Sequence, residues 1–196
     1  MDKREHLIRV AFDLFYREGV HAVGINRVLA ESGVAKKTLY HHFASKDDLV
    51  AATVAYRDQY FNEWVRMRMN RLPAGRMALH ELFRALDDWF NRRDPVMPAF
   101  HGCYFINLSA EFGDAEHPIH RQCAAHKRAL HALVSQHLAE FITSAEEVSR
   151  LADAITLLKE GAIVQAHVVG DRFAALKAWV VVESLLGQVR GEYVSP

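Results

Sequence analysis

Apolar residues in the first fifty positions recur at spacings of three and four, the period of a helix with one buried face. Leu7, Val10, Ala11, Leu14 and Phe15 make one such stripe and predict a helix over about 3–18, ended by Gly19. Ile25, Val28 and Leu29 make a second over 25–32, and Gly33 ends it. Glycine takes the left-handed conformation that a helix C-terminus often needs. Val34 plugs the turn, and Leu39 and Phe43, four apart, form the buried face of a short third helix. Ser45 with Asp48 three residues on is a capping-box arrangement that opens a long fourth helix, roughly 46–70. Its inward stripe reads Leu49, Thr53, Tyr56, Tyr60, Trp64 and Met67. Further helices are predicted over about 76–92, from Gly102 to Phe112, over about 119–141, and from the capping box Ser144–Glu147 to Gly170. A last one is capped by Asp171. No repeat, low-complexity tract or strand-like alternation of useful length interrupts this pattern. The predicted fold class is therefore all-α.

The polar positions of the third helix change the picture from structure to chemistry. Lys36, Lys37, Thr38, Tyr40, His41 and His42 occupy the face that Leu39 and Phe43 leave open. Cations, hydroxyls and imidazoles suit phosphate oxygens and base edges. Two short helices joined by a tight glycine turn, the second with a cationic polar face, read as a helix-turn-helix. Two surface helices merely facing water are the alternative, and the coincidence of cluster and turn argues against it. Lys37 is the first choice for a base edge, Thr38 and Tyr40 for phosphate. Asn26, Arg27 and Lys46 are assigned to phosphates or flanking bases. Lys46 lies in the first turn of the fourth helix, where a cation opposes the helix dipole, an objection that a nearby DNA phosphate removes.

Ala11, Phe15, Gly19, Gly33-Val34, Thr38-Leu39-Tyr40, His42-Phe43 and Lys46 form a gapless pattern between Ile8 and Leu49. That stretch resembles the N-terminal domain of the TetR family of bacterial transcriptional regulators. It departs at Gly24, where many relatives carry a Thr or Ser cap, although the backbone N–H groups there can still face a phosphate. Gly102-Cys103 followed by an apolar stretch ending in Glu111 resembles a subset of the same family. The resemblance implies a phosphate contact for Lys46, a small-molecule inducer pocket in the C-terminal helices, and a four-helix bundle between the last two helices of two copies. It divides the chain into a three-helix DNA-binding domain over 1–46 and a ligand-binding and dimerisation domain over 47–196.

Composition bounds these readings. Half of the 196 residues are apolar, ample for a core. Lys and Arg number 24 against 24 Asp and Glu, so the net charge is zero. Residues 1–50 carry eight basic and seven acidic residues, so global charge gives no support for nucleic-acid binding. The support is local, in Arg27, Lys36, Lys37, His41, His42 and Lys46. No run of 18 or more apolar residues predicts a membrane span, and the first residues lack a signal peptide's apolar stretch. A cytoplasmic protein is expected. Two cysteines, Cys103 and Cys123, fit a reducing compartment.

Aromatic and polar residues are dense on helices 4 to 8, where Glu111 is one possible polar anchor. Trp64, Phe83, Cys103, Tyr104, Asn107 and Gln165 are the candidate ligand residues, with plain core packing the alternative for the aromatics. Asn107 and Gln165 are favoured as polar groups expected on buried faces. Cys103, near a helix start, is a candidate redox or electrophile sensor. His117 with His120, and Cys123 with His126, are spaced like helical metal ligands. No further ligands complete a site by spacing, so a metal sensor is the weaker alternative and neither metal nor cofactor is expected. Without a Gly-rich phosphate loop, Gly-x-Ser-x-Gly or His-Glu-x-x-His, an enzyme is not expected. Trp179, Val181, Val182, Leu185 and Leu186 cover so much of the last helix that a second copy is expected to bury them. Such a homodimer sets two recognition helices about 34–36 Å apart. The sequence thus reads as a regulator that a small molecule releases from palindromic double-stranded DNA.

Overall fold

The glycines and caps that punctuate the sequence stop helices close to where the pattern predicts. The computed structural model describes residues 2–190, with side chains to 188. Among them are α1 (Lys3–Glu18), α2 (Ile25–Ser32), α3 (Lys36–His42), α4 (Lys46–Met69), α5 (Arg76–Phe90), α6 (Tyr104–Glu111), α7 (Pro118–Ala139), α8 (Ala145–Val164) and α9 (Ala174–Arg190). No strand occurs among the described residues. The chain forms two compact units. One comprises the chain up to Phe61 with Cys103–Lys127, and the other Asn62–Gly102 with the chain from Arg128. Helices α4 and α7 are continuous through the points of division.

In the first unit, Leu7, Ala11, Leu14 and Phe15 of α1 are buried, as are Val28 of α2, Leu39 of α3, Phe43, and Leu49 and Val50 of α4. Gly33 is left-handed at φ 65°, and its N–H reaches the Leu29 carbonyl at 3.0 Å. His6 Nε2 donates to the Ser32 carbonyl at 3.0 Å and ties α1 to the same turn. The Ser45 cap forms, with Asp48 N–H donating to Ser45 Oγ at 3.0 Å, while the Asp48 carboxylate reaches one residue beyond the cap and accepts from the Ala44 N–H at 3.1 Å.

The face of α4 differs from the predicted stripe. Leu49, Thr53 and Trp64 are buried, but Tyr56 and Tyr60 are half-buried and Met67 is exposed. Their place inside is shared with Val54, Arg57, Phe61, Val65 and Arg68. Two arginines therefore take core positions that a polarity pattern assigns to water. The Arg57 guanidinium lies 5.3–5.9 Å from the ring centroids of Phe12, Tyr60 and Phe61, a cation–π setting, and burial lowers its pKa.

The second unit is organised around Arg68. Its Nε donates to Glu81 at 2.8 Å, Nη2 to Asp88 at 2.8 Å and Nη1 to Asp94 at 2.9 Å. Asp94 also accepts from the Trp64 indole at 2.8 Å and from the Val96 and Met97 N–H groups at 2.9 and 3.0 Å. Trp179 of α9 stacks on His80 of α5 with centroids 4.6 Å apart and packs beside Phe83 at 5.7 Å. Helix α8 passes into a π-helical turn, Gln165–Val169, before Gly170 closes it at φ 78°. The Asp171 cap bonds the Phe173 N–H at 3.1 Å, so α9 begins at Ala174.

Burial alone would raise the Asp94 carboxyl, but its donors from Trp64, Met97, Val96 and Arg68 outweigh that and hold it below the usual carboxylate range. Its stabilising contribution is therefore full above that range and lost as pH falls through the depressed value. Replacing Asp94 by Asn leaves the buried Arg68 short of a charge partner and should cost about 3 kcal/mol at neutral pH. Urea unfolding of both forms should show that difference at pH 7, narrowing under acid. An equal deficit at all pH values would contradict it.

Candidate nucleic-acid interface

Helix α3 is only seven residues long, and its set is dictated by Leu39, fully buried, and the adjoining Phe43, 3% exposed. That burial turns Lys36, Lys37, Tyr40 and His41 to solvent and leaves Thr38 and His42 half-buried. Lys36 Nζ stands 6.0 Å from the Tyr40 ring centroid, and the His41 and His42 rings are 5.2 Å apart. No carboxylate lies on α3. On α2, Asn26 and Arg27 are exposed, and Arg27 pairs loosely with Glu18 at 3.7 Å and Glu31 at 3.3 Å. Lys46 differs from its expected setting. Its ammonium donates to the Val20 carbonyl at 2.6 Å, which meets part of its charge within the chain and leaves two of its three N–H donors for other use.

The turn that Lys46 touches holds a residue whose setting the sequence did not suggest. Glu111, at the end of α6, accepts from the Val20 N–H at 2.9 Å, from the His21 N–H at 2.6 Å and from His21 Nδ1 at 2.9 Å. Burial pushes its pKa up, but the His21 and Val20 N–H groups and the His21 ring overcome this and hold it below the ordinary value. The stretch ending in Glu111 was the only signal in the sequence, and it pointed to a cavity anchor rather than to this turn.

The six candidate ligand residues divide between the units. Trp64 and Phe83 are core residues of the second. In the first, the buried Tyr104 shares a hydrogen bond with Thr53 Oγ1 at 2.7 Å and packs its ring 5.0 Å from Phe12, and burial pushes its phenol pKa up. Buried Cys103 receives a hydrogen bond from Lys127 Nζ at 3.3 Å, and Asn107 is half-buried. Gln165, expected on a buried face, is exposed, with Ala166 buried in its stead. The buried face of α8 and the π-turn runs Ile155, Lys159, Ala162, Ile163 and Ala166 at spacings of three and four, and Gln165 falls beside it. Gln165 lines an open groove of about 400 Å³ along α8 and α9, together with Leu157, Ala162, Ala174 and Val181. A second cavity, about 320 Å³, is bounded by Arg66, Asn70, Leu133, Gln136, His137 and Glu140.

The spaced histidines are engaged elsewhere. His120 Nδ1 donates to the Phe112 carbonyl at 2.7 Å, and His126 Nδ1 bonds Asp58 at 2.6 Å. Among the described residues no three His, Cys, Asp or Glu are grouped to hold a metal ion, and no helix is long and apolar enough to cross a membrane.

Residues 7–53 match the model for bacterial regulatory proteins of the tetR family, and residues 73–177 match the C-terminal domain of LmrA/YxaF-like transcriptional regulators. The chain belongs to the TetR family. The crystal structure of SCO4454, a TetR-family transcriptional regulator from Streptomyces coelicolor, superposes with a TM-score of 0.86 at 30% identity, covering 95% of each chain. The regulator YxaF of Bacillus subtilis is 25% identical over 164 residues, 83% of this chain and 84% of its own. The repressor ComR of Escherichia coli is 26% identical over 173 residues, 84% of this chain and 79% of its own. The all-helical fold and the family resemblance expected from the sequence are thus established. This TetR-family protein is a DNA-binding transcriptional regulator, not an enzyme, in a family whose members bind small ligands and work as dimers.

The two sides of α3 should separate in stability measurements. Leu39→Ala opens a cavity in the head and should cost about 3 kcal/mol. Lys37→Ala should stay within about 0.5 kcal/mol of the wild type. Thermal unfolding of the two variants checks this; comparable losses would mean that Lys37 serves the fold.

Proposed function

We propose that this regulator is a repressor that leaves a palindromic operator when a small molecule enters its C-terminal helices, over 47–196. The observation that carries the reading is the α3 surface, whose cations, hydroxyls and imidazoles stand opposite a buried Leu39 with no carboxylate among them. Lys37 reads a base edge. Lys36, Thr38, Tyr40, His41 and His42 complete the groove face, while Asn26, Arg27 and Lys46 hold phosphates or flanking bases. Repression is supported by the likeness to ComR, which is named a repressor.

A homodimer through the last two helices is supported by their exposed apolar side chains. Leu157, Val168, Val169, Phe173 and Val180 are 62–75% exposed. An apolar patch of this kind on consecutive elements suits a second copy, and two-fold pairing matches a palindrome. Helix α4, continuous from the head into the second unit, is the element a bound ligand would move to shift the population of DNA-competent dimers. Within the first unit Cys103, Tyr104 and Asn107 are the candidates for contacting that ligand, and within the second Trp64, Phe83 and Gln165. The protein would work in the cytoplasm.

Incubating the protein with fragmented genomic DNA at a stated salt concentration and sequencing what it retains should give a sharp palindrome. No enrichment over bulk DNA would contradict the proposal. On the recovered site, Lys37→Ala should weaken binding more than on random DNA; equal loss on both would make Lys37 a phosphate contact only.

The Lys127–Cys103 contact favours a second reading, in which the signal is an oxidant or electrophile. It supplies the cationic partner that reactive cysteines need, whereas burial and the neighbouring Cys103 push the Cys123 thiol up to about 11. Cys103→Ser should then keep operator binding in peroxide that releases the wild type. Release of both forms alike would remove this reading.

A further inference from the structure

The geometry points to Glu111 as the residue through which α6 positions the DNA-binding head. This rests on the chain being a sequence-specific regulator. The turn between α1 and α2 runs Gly19-Val20-His21-Ala22-Val23-Gly24 and contains no Asp, Asn, Ser or Thr. Such residues ordinarily satisfy turn and helix-start N–H groups locally. Gly24 begins α2 with no side-chain cap. The turn instead takes its acceptor from about 90 positions along the chain, in the Glu111 carboxylate.

Two consecutive N–H groups and an imidazole converging on one carboxylate make a charge-assisted clasp, stronger and more directional than neutral hydrogen bonds. Val20 is held on both sides: Glu111 of α6 takes its N–H, and Lys46 at the start of α4 donates to its carbonyl. Its side chain is 2% exposed, so the turn cannot slide without disturbing the core. At its other end, α6 is fixed by the buried Tyr104, bonded to Thr53 of α4 and packed on Phe12 of α1. Helix α6, about 12 Å long at 1.5 Å per residue, thus braces the α1–α4 core against the turn that aims α2 and α3. A movement of α6 by about 1 Å takes the Glu111 oxygens out of hydrogen-bond range and frees the turn. Glu111 touches no surface assigned to DNA and acts by position.

The test uses the full-length protein and Glu111→Gln, which keeps the shape but offers an amide N–H₂ where an acceptor is needed. The DNA probe is a duplex selected by the wild type from a random-sequence pool, with a scrambled duplex of equal length as control. Glu111→Gln should bind the selected duplex about tenfold more weakly, bind the scrambled duplex as the wild type does, and, although somewhat less stable, remain fully folded at the temperature of the binding assay. Glu111→Asp, which retains the charge one methylene short, should recover part of the loss. In ¹⁵N–¹H spectra of the wild type, the Val20 and His21 amide protons should lie downfield. They should move upfield together as pH falls through the depressed Glu111 titration, and in Glu111→Gln they should not respond. Equal weakening on both duplexes, or none on either, would overturn the proposal, as would amides that do not titrate in the wild type. A wild type that selects no sequence would instead refute the regulator reading.

Discussion

A seven-residue helix cannot hold itself together in water, since an isolated helix becomes stable only beyond about 12–15 residues. Helix α3 therefore exists, and points where it does, because Leu39 and Phe43 are buried. The rest of the head follows from that constraint. The apolar stripe of α1 supplies the floor, and Val28 brings α2 onto it. Gly33 makes the tight left-handed turn. With the apolar side committed inward, the lysines, histidines, threonine and tyrosine of α3 have only the outer side left. Apolar packing and the cationic, hydroxyl and imidazole groups thus occupy opposite sides of one short element.

Charged groups brought from far along the chain set the angles that apolar packing leaves loose. Glu111 and Lys46 hold the α1–α2 turn through one residue, Val20, the first by its N–H and the second by its carbonyl. In the second unit Arg68 gathers Glu81, Asp88 and Asp94, and Asp94 in turn fixes the loop after α5 and the Trp64 indole. Such networks are costly when a partner is missing, which makes them specific about the arrangement they accept.

The head was legible in the sequence because its signals are local: a glycine at the end of α1 and of α2, Ser45 and Asp48 at the α4 cap, and apolar spacing within single helices. The long-range polar contacts were not. A pattern of polar and apolar positions sends Arg57 and Arg68 to the solvent, yet both are buried, so the inward face of α4 was misplaced toward Tyr56, Tyr60 and Met67. Glu111 looked like an anchor for a cavity because its partners lie some 90 residues away. Gln165 was expected inside because α8 reads as apolar on two sides, but the buried face runs through Ile155, Lys159, Ala162, Ile163 and Ala166, and Gln165 falls beside it. Trp179, Val182 and Leu186, expected to be covered by a second copy, are instead buried within the chain, Trp179 against His80 and Phe83 of α5; the apolar side chains left exposed include Val180 and Val181 of α9, with Val168 in the π-turn and Phe173 just before α9.

In the proposed complex the outer side of α3 meets DNA, while the π-turn after α8 and the exposed face of α9 meet a second copy. A crystal structure of the protein on a duplex recovered from genomic DNA tests it most directly. Two copies are expected about a two-fold axis, each α3 in a major groove about 34 Å from the other, with Val168, Phe173 and Val180 covered by the partner. Helix α3 facing solvent, or those three side chains left bare in the complex, would contradict it.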